Sequence, residues 1–378
     1  MPLVSVIMPT YNHAEFVKQA IDSVLMQEGV DFEFIIVDDG STDHTAEVVQ
    51  SVNDKRIRFY PNELNRGAGV VTKELIEYAD GEFIALINSD DEWIGKDKLA
   101  QQVQTLQNNP QLGACFGRAR FMDKQNQRIA TGTLSFGTIF DQENRSQGLW
   151  LRRFFDHGNC ICHPTMMIRK SCYDKLGTYN NRLRQLPDFE MWVRLIKHHP
   201  IFIAERDMIN FRILPGENAS SETTVNTFRT INEHLLIAEE FFNDVSREQI
   251  IDGFHDVILN KEIPTEIHLN IEKALLYFLE NQWLGAPYKV IGLMQMNKLL
   301  GNPAHREVLN REYKINDLWF QKKMGEIGIL KQNLAEVGML KSRIDQIYNS
   351  RSWKVTAVLR TGFRFLTKLK SRFTVNAR

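Results

Sequence analysis

The sequence predicts an α/β fold in which a mostly parallel β-sheet is flanked by helices. Two observations lead to this prediction. Short apolar runs alternate with amphipathic stretches through the first 120 residues. The runs VSVIM and FIALI are apolar almost throughout, which is typical of strands that are buried on both faces in a parallel sheet.

The individual strands and helices follow from the spacing of apolar residues. Strands are predicted at residues 4–8, 34–37, 56–60, 83–88 and 112–121. Helices are predicted between them at residues 15–26, 45–52, 70–78 and 98–106. Polar residues follow three of the strands, and ligands of such sheets bind beyond the carboxyl ends of the strands. We therefore expect these polar residues to converge at one edge of the sheet.

The second half of the chain has a different pattern. From about Thr224 the segments are long and mostly helical, for example residues 225–242 and 262–284. Further on, apolar residues at heptad spacing predict either a lone helical hairpin or a short coiled coil that would pair two chains into a homodimer. These residues are Ile327, Leu330, Leu334, Val337 and Ile344. The predicted domains are a sheet domain at 1–224, a helical domain at 225–314, a helical or short coiled-coil segment at 315–350 and a basic amphipathic tail at 351–378.

Composition excludes several classes of protein. With 43% hydrophobic and 25% charged residues among 378, the chain is globular rather than collagen-like, disordered or a disulfide scaffold. It has no run of about 18 apolar residues to span a bilayer, and its first residues lack the pattern of a secretory signal. We expect reduced thiols in a cytoplasmic protein; the cysteines are Cys115, Cys160, Cys162 and Cys172.

Two adjacent carboxylates, Asp38 and Asp39, end the second predicted strand within the segment VDDGSTD. Gly40 permits a tight turn, and the following Ser-Thr-Asp can cap the next helix. A second carboxylate at a crowded strand end is costly unless a partner pairs with it. The motif therefore predicts a ligand site, and a carboxylate at this position can accept the ring N–H of a pyrimidine base. A turn with a helix cap is the alternative interpretation.

A second acidic pair, Asp90 and Asp91, follows the buried strand at residues 83–88 within INSDDEW. Carboxylate oxygens are hard ligands that suit Mg²⁺ or Mn²⁺ bridging a diphosphate. A solvated acidic turn is the alternative, and the position of this pair relative to VDDGSTD favours the metal site.

These segments together resemble glycosyltransferase family 2, whose members use nucleotide sugars and have the fold called GT-A. The resemblance covers roughly residues 2–224. The similar segments, in order, are VSVIMPTYNHAEFVKQAIDSVLMQ, VDDGSTD, NRGAG, GEFIALINSDDEW and LPDFEMWVRL. Each is short, and their shared order makes the resemblance specific.

The resemblance implies roles for the residues at matching positions. Thr10 and Asp39 would contact the nucleoside, and Tyr11 and Asn65 lie in the matching donor-binding segments. Asp90, the last acid of the family's D-x-D triplet, would bind the metal.

Two positions depart from the family pattern. Asn88 stands where the first acid of the triplet is expected. The position therefore lacks a negative charge but keeps an oxygen that can bind ribose or metal, and we expect Asp91 to help bind the metal. Pro187 stands where a Glu precedes the base, which removes a neighbour that would help to orient the base.

Asp188 is the general base that the resemblance implies. An inverting transfer needs one carboxylate that faces the acceptor hydroxyl, opposite the departing diphosphate. The alternative is that Pro187 and Asp188 only start the helix that follows. Trp192, in the same segment, is expected to pack near the acceptor or in the core.

The segment FRILPGENASS at residues 211–221 resembles the flexible loop that closes over the diphosphate in this family. Arg212 would offset phosphate charge, and the loop would exclude water from the donor. An interdomain linker is the alternative.

The run Cys160-Ile161-Cys162-His163 has spacing that invites a zinc interpretation. Structural zinc sites prefer two ligand pairs, and the sequence offers no second pair here, so we expect buried thiols. His163 either approaches the acceptor or is a structural histidine.

The last 28 residues are basic. They carry eight Lys and Arg and no acid, whereas the whole chain has a net charge of −1, so the rest of the chain carries −9. Aromatic and aliphatic residues interleave with the cations, a pattern that can lie in the headgroup layer of an anionic membrane. Nucleic-acid binding and a docked core helix are the alternatives, and the acidic body argues against nucleic acid.

The sequence therefore predicts a cytoplasmic enzyme attached to the inner face of the cell membrane. It would be an inverting glycosyltransferase assisted by Mg²⁺ or Mn²⁺, with a UDP- or dTDP-sugar as donor and a saccharide, free or lipid-linked, as acceptor. A scaffold or sugar-binding subunit that has lost catalysis is one alternative, supported by Asn88 and Pro187. A nucleotidyltransferase is another, but it would need a Gly-rich cationic loop where this chain has PTYNH.

Overall fold

The computed structural model describes residues 2–216, 218, 221, 223–280 and 284–328. Residues Met1–Asn316 form one compact unit, and Asp317–Arg378 form a second. The described part of the second unit contains the helix Asp317–Glu326. The heptad residues from Leu330 onward and the basic tail lie outside the described residues.

A single mixed sheet forms the centre of the first unit. Its strands among the described residues are β1 (Val4–Thr10), β2 (Phe32–Asp38), β3 (Ile57–Pro61), β4 (Phe83–Leu86), β5 (Glu92–Trp93), β6 (Ala114–Met122), β7 (Arg128–Ile129), β8 (Met167–Arg169) and β9 (Ile201–Arg212). The order across the sheet is β3-β2-β1-β4-β8-β6-β9-β5, and β7 pairs with β6.

The direction of strand addition reverses between β1 and β4. The chain proceeds from β1 outward through β2 and β3 and then returns to place β4 on the other side of β1, and all three pairings are parallel. Such a switch opens a crevice at the carboxyl ends of the two strands. The predicted polar loops follow β1, β2 and β4, so the topology places them at this crevice.

The predicted parallel α/β architecture is confirmed, with differences at the short strands. β8 runs antiparallel to β4 and β6, and β5 runs antiparallel to β9. β5, β7 and β8 have only two or three residues each, too few for a periodic pattern to develop.

Side chains on opposite faces of the sheet enter two separate cores. On β1, Val4, Val6 and Met8 pack in one core and Ile7 packs in the other. All four are completely buried, which explains why the strand is apolar almost throughout. The covering helices in this half of the chain are α1 (Val17–Leu25), α2 (Thr45–Gln50), α3 (Ala68–Tyr78), α4 (Lys98–Asn108), α5 (Gln147–His157), α6 (Lys170–Leu176) and α7 (Pro187–His198).

A helical extension continues the first unit. Its helices are α8 (Thr224–Glu239), α9 (Arg247–Phe254), α10 (Glu266–Leu276), α11 (Ala286–Gly301) and α12 (Pro303–Val308), and the helix Asp317–Glu326 of the second unit is α13. No helix in the described ranges has both the length and the apolar character needed to cross a membrane.

The extension shares a core with the sheet region. The ring of Phe155 on α5 is buried among aromatic rings of the extension, with centroid separations between 4.7 and 6.1 Å. These rings belong to Phe241, Phe242, Phe254, Tyr277 and Tyr288. Because burial of one such side chain contributes about 2–3 kcal/mol, the cluster ties the extension firmly to α5.

Candidate active site

Hydrogen bonds join the loops that follow β1, β2 and β4. The Asn12 N–H donates to Ser41 Oγ at 2.8 Å, and the Thr42 N–H donates to Asn12 Oδ1 at 2.8 Å. His13 Nδ1 lies 2.7 Å from Ser89 Oγ in the loop after β4. The three loops predicted to converge are therefore in direct contact.

Both carboxylates at the end of β2 have protein partners. Asp38 accepts hydrogen bonds from the Ser41 N–H at 3.0 Å and from the Ser41 hydroxyl. Asp39 Oδ1 accepts the Arg66 N–H at 2.7 Å, and Asp39 Oδ2 accepts the Gly67 N–H at 2.9 Å. The cost of burying the second carboxylate is thus offset by backbone donors at the start of α3. Asp39 holds the NRGAG segment in place at the edge of the crevice.

Gly40 makes this approach possible. Its φ is +72°, and a Cβ at this position would lie 2.6 Å from the Leu64 carbonyl carbon and 2.7 Å from the Asn65 nitrogen. Only glycine tolerates both the left-handed backbone and such close contact. As a result, Asn65 lies exposed beside the turn that contains Asp39.

The end of β1 presents one buried and one exposed side chain. Thr10 is 2% exposed, and its Oγ1 has no hydrogen-bond partner among the described residues. An unsatisfied buried hydroxyl costs about 1–3 kcal/mol, so this atom is suited to a bond from a bound ligand. Tyr11 is 42% exposed and can offer its ring to a ligand.

The acidic loop after β4 is buried and already hydrogen-bonded in part. Asp91 Oδ1 accepts the Arg212 N–H at 2.9 Å, and Asp91 Oδ2 accepts from Asn88 Nδ2 at 3.0 Å. Asp90 Oδ2 accepts from Asn218 Nδ2 at 3.1 Å. Burial raises the pKa of Asp90, and burial together with the Asp90 charge raises the pKa of Asp91 well above its usual range. The loop therefore concentrates negative charge that a cation would stabilise.

Arg212 is buried beside this loop and is bonded to it. Its side chain is 1% exposed, and it stacks 4.6 Å from the centroid of the Phe16 ring. Its guanidinium donates to the backbone oxygens of Asp90, Asp123 and Lys124 and to the side chains of Asn126 and Gln19. Because its donors are directed at protein acceptors, Arg212 fixes the acidic loop and does not reach toward a diphosphate.

The acidic loop has the chemistry for a divalent cation. Both Asp91 oxygens accept bonds from the protein, whereas Asp90 accepts one from another side chain, so Asp90 has the greater capacity for a metal. In the described ranges no group of three or more His, Cys, Asp and Glu is arranged to hold a metal. An ion here would need oxygens from a bound phosphate, as Mg²⁺ commonly does.

Asp188 lies in the first turn of α7, directly after Pro187. Asn159 Nδ2 donates to Asp188 Oδ2 at 2.9 Å, an interaction that the sequence did not indicate. Burial raises the pKa of Asp188 to about 6, and the Glu233 charge adds to this effect. The carboxylate is therefore ionised near neutral pH while remaining basic enough to take a proton.

Two observations place Asp188 near the loops that follow β1, β2 and β4. Asn181, in the loop before α7, packs against the start of α3, where a Cβ on Gly69 would lie 3.1 Å from Asn181 Oδ1. Burial raises the pKa of the Cys162 thiol well above its usual value, and the charges of Asp91 and Asp188 both raise it further. The two carboxylates are thus within electrostatic reach of one sulfur atom.

The residues around Asp188 are structural in character. All four cysteines are free and buried. His163 Nε2 lies 2.8 Å from the Tyr179 hydroxyl, and burial lowers the pKa of His163 to about 4, so the ring is neutral. Trp192 is 1% exposed and packs edge-on against Phe116 with centroids 4.8 Å apart. Of the two roles considered for Trp192, core packing matches this position.

The sequence of this chain is similar to those of several known proteins. Residues 5–177 match the family Glycosyl transferase family 2. An uncharacterized glycosyltransferase of Methanocaldococcus jannaschii is 29% identical over 254 residues, which cover 65% of this chain and 83% of the relative. Chondroitin synthase of Escherichia coli is 26% identical over 241 residues, covering 62% of this chain and 33% of the synthase.

A third relative matches more strongly over a shorter region. The Escherichia coli enzyme UDP-Glc:alpha-D-GlcNAc-diphosphoundecaprenol beta-1,3-glucosyltransferase is 39% identical over 107 residues. These residues cover 28% of this chain and 42% of that enzyme. The chain therefore spans less than half the length of this enzyme and of chondroitin synthase.

Solved structures share the fold. TarS of Staphylococcus aureus, residues 1–349 in complex with UDP, gives a TM-score of 0.52 at 16% identity, covering 76% of this chain and 80% of TarS. A mannosyltransferase of Pyrobaculum calidifontis in complex with GDP-Man and Mn²⁺ gives 0.51 at 15% identity, covering 85% and 83%. These matches confirm the predicted GT-A fold. The family match and the relatives named glycosyltransferases show a glycosyltransferase family 2 domain at residues 5–177.

Proposed function

We propose that the enzyme transfers a sugar, with inversion, from a nucleoside diphosphate donor to a hydroxyl of a saccharide during polysaccharide synthesis. The observation that supports this most is the contact of three strand-end loops with one another and with the loop that leads to Asp188. The names of two relatives, a chondroitin synthase and a glucosyltransferase acting on a diphosphoundecaprenol-linked sugar, support a saccharide acceptor, free or lipid-linked.

The donor's nucleoside would bind at the ends of β1 and β2. The unsatisfied hydroxyl of Thr10 and the exposed ring of Tyr11 would contact the nucleoside there. Asp39 keeps lone pairs beyond those used by the Arg66 and Gly67 N–H groups, and Asn65 is exposed beside it. A pyrimidine nucleotide, UDP or dTDP, offers a ring N–H that a carboxylate can accept, and TarS has been solved with UDP.

The diphosphate would lie over the acidic loop. Asp90 would hold Mg²⁺ or Mn²⁺, with Asn88 and Asp91 beside it, and the bound ion would offset negative charge on the leaving diphosphate. Arg212 and Asn218 keep the loop in position through their hydrogen bonds to Asp90 and Asp91.

Asp188 would act as the general base. Asn159 donates to Asp188 Oδ2, and the remaining lone pairs of the carboxylate would accept the proton of the acceptor hydroxyl. The acceptor proton passes to Asp188, the acceptor oxygen forms a bond to the anomeric carbon, and the bond from that carbon to the diphosphate breaks with its electron pair. General-base assistance of this kind contributes typically 10²–10⁴-fold to rate.

The proposal also includes a location for the enzyme and a role for its basic tail. The basic tail at 351–378 would hold the enzyme at the inner face of the membrane, next to a lipid-linked acceptor. Sedimentation with vesicles tests this. The full chain should sediment with vesicles containing phosphatidylglycerol in low salt, and a chain ending at residue 350 should not. Equal binding of both chains would remove the tail from this role.

The Asp188→Asn variant tests the proposed reaction. UDP- and dTDP-sugars are screened with Mn²⁺ for binding, hydrolysis and transfer. The variant should bind the donor like the wild type and lose transfer by at least about 100-fold, while the surface variant Asp174→Asn should behave like the wild type. Wild-type turnover in Asp188→Asn would contradict the proposal. Absence of hydrolysis with every donor in the wild type would favour a scaffold instead.

A further inference from the structure

A carboxylate of the helical extension binds the loop that leads to Asp188. Glu233 lies in the middle of α8 and is 7% exposed. Its Oε1 accepts the Arg184 N–H at 2.8 Å, and its Oε2 accepts the N–H groups of Gln185 and Leu186, each at 2.8 Å. Three consecutive backbone donors therefore converge on one side chain.

Burial of the Glu233 carboxylate costs free energy that its hydrogen bonds must offset. A buried charge is stable only when it is hydrogen-bonded, and bonds from N–H groups to a carboxylate are stronger than bonds between neutral groups. Removal of the Glu233 carboxylate would leave three backbone donors without their acceptor, whereas an amide in its place keeps one of the two acceptor oxygens. The backbone N–H groups of residues 184–186, directly before α7, are therefore held by this side chain.

The loop is coupled to Asp188 through Pro187. Leu186 is the N-cap residue of α7, and Pro187 is its first residue. Because the proline ring fixes φ, a displacement of Leu186 is passed to Asp188 with little relief between them. A misplacement of about 1 Å costs a reaction as much as about 100-fold in rate.

We propose that Glu233 is a positioning residue for the catalytic base, so that α8 completes the active site from the helical extension. This inference rests on the proposed function, in which Asp188 is the base. In the family pattern a Glu precedes the base in sequence, where this chain has Pro187. Here Glu233 supplies a carboxylate from a different element.

The charged and titratable groups near Asp188 are few. Glu233 on α8 raises the pKa of Asp188. Tyr179 before α7 and Cys162 after α5 both feel the Asp188 charge, and burial raises their own pKa values well above the usual range, so both are neutral at working pH. Loss of the Glu233 charge should therefore lower the pKa of Asp188.

The chain offers a matched control. Glu272 on α10 is completely buried, and its two oxygens accept the N–H groups of Leu259 at 2.9 Å and Asn260 at 2.6 Å. It performs the same structural task on a different loop of the extension. Glu233→Gln and Glu272→Gln therefore each disturb a buried carboxylate that binds backbone N–H groups of a loop, and of the two only Glu233 raises the pKa of Asp188.

Steady-state kinetics of the full chain across pH test the inference. Glu233→Gln should lower kcat by about 10- to 100-fold, leave the donor KM within about twofold, and shift the acid limb of the pH profile to lower pH. Glu272→Gln should lose thermal stability and keep the wild-type kcat and pH profile. If Glu233→Gln does not fold, Glu233→Asp keeps the charge but shortens the reach, and it should lower kcat without shifting the acid limb.

The outcomes separate this inference from the proposed function. Wild-type turnover in Asp188→Asn overturns both. Lost transfer in Asp188→Asn with wild-type kcat and pH profile in Glu233→Gln, or wild-type kcat in Glu233→Asp where Gln does not fold, overturns the inference alone. Equal losses of kcat in Glu233→Gln and Glu272→Gln also overturn it, because the effect would then be general destabilisation.

Discussion

At the scale of single residues, the fold stabilises the charged carboxylate of Asp188 less than it would stabilise a neutral side chain. Burial raises the pKa of its carboxyl to about 6, whereas in the unfolded chain it titrates near 3.9. Between these pH values the native state binds more protons than the unfolded state, so this group's contribution to stability falls as pH rises. At neutral pH the charged form is a cost that an uncharged amide would not carry.

Asp188→Asn should therefore raise stability while it abolishes transfer. We expect a gain in the free energy of unfolding of about 1–3 kcal/mol at pH 7.5, measured by urea denaturation. The gain should shrink as pH is lowered toward 5, because the wild-type carboxyl then becomes protonated. A variant that is less stable than the wild type at pH 7.5 would contradict the conclusion that the buried charge of Asp188 is destabilising.

The acidic loop allows a second prediction at this scale. Asp90→Asn should lose most of the increase in Tm that Mn²⁺ produces in the wild type in the presence of UDP, because it removes the carboxylate best placed to bind the ion. Asp97→Asn is the control, since Asp97 is an exposed acid beyond the same loop, paired with Arg206 at 2.9 Å. An unchanged Mn²⁺ response in Asp90→Asn would exclude Asp90 as a ligand.

At the residue scale, a single sequence reveals features whose signal is local and does not reveal those that depend on distant partners. The acidic pairs are visible because each directly follows a buried strand. The partners of Arg212, Asp188 and Glu233 are invisible in one sequence, because they lie 122, 29 and 47 positions away. One signal for Glu233 was present, since it occupies a buried position on α8, where an apolar residue is expected.

At the scale of elements, α4 contains a buried lysine that connects two loops of the site. Lys98 is completely buried, donates to Gln102 Oε1 at 2.8 Å and lies 3.9 Å from the centroid of the Trp93 ring. The Trp93 indole N–H in turn donates to the Pro164 carbonyl at 3.2 Å. The end of the acidic loop is thereby joined to the segment that contains His163.

The stability of this region should depend on pH through Lys98. Burial lowers the pKa of Lys98 to about 7, and an unfolded lysine titrates near 10.4. At Lys98 the unfolded state binds more protons above pH 7, so between pH 7 and 9 this side chain should add about 1–2 kcal/mol to the free energy of unfolding of the wild type relative to Lys98→Met. Lys98→Met should abolish this gain, and Lys96→Met, at an exposed lysine, should keep it. Parallel pH dependence in all three proteins would contradict the role of Lys98.

The elements of the sheet were largely predictable because their patterns are periodic. All five predicted strands and all four predicted helices of the first 121 residues correspond to elements of the structure. The short antiparallel strands depend on pairing across the sheet, for example Glu92 with Asn210, and no local pattern indicates such a partner.

At the scale of the whole molecule, the sheet and the helical extension form one compact unit through residue 316. The core around Phe155 includes rings from α9, α10 and α11. The change of pattern at residue 224 is the start of α8, and it does not separate two hydrophobic cores.

The two parts should therefore unfold together. A fragment of residues 1–316 should show one thermal transition, with coincident midpoints in circular dichroism and tryptophan fluorescence. A fragment of residues 1–224 should be insoluble or unfolded, because it exposes Phe155 and leaves the loop before α7 without Glu233. A folded, soluble 1–224 fragment, or two separate transitions in 1–316, would contradict this and support the predicted boundary at 224 as a thermodynamic one.

The central claim is that one crevice holds the nucleoside near Asp39, the diphosphate near Asp90 and the acceptor near Asp188. A crystal structure with UDP and Mn²⁺, with the ion located by its anomalous scattering, tests it most directly. We expect Mn²⁺ bound to Asp90, the uracil beside Asp39 and Thr10, and the Asp188 carboxylate facing the open side of the diphosphate. A nucleotide bound elsewhere, or an Asp188 carboxylate turned away from that diphosphate, would contradict it.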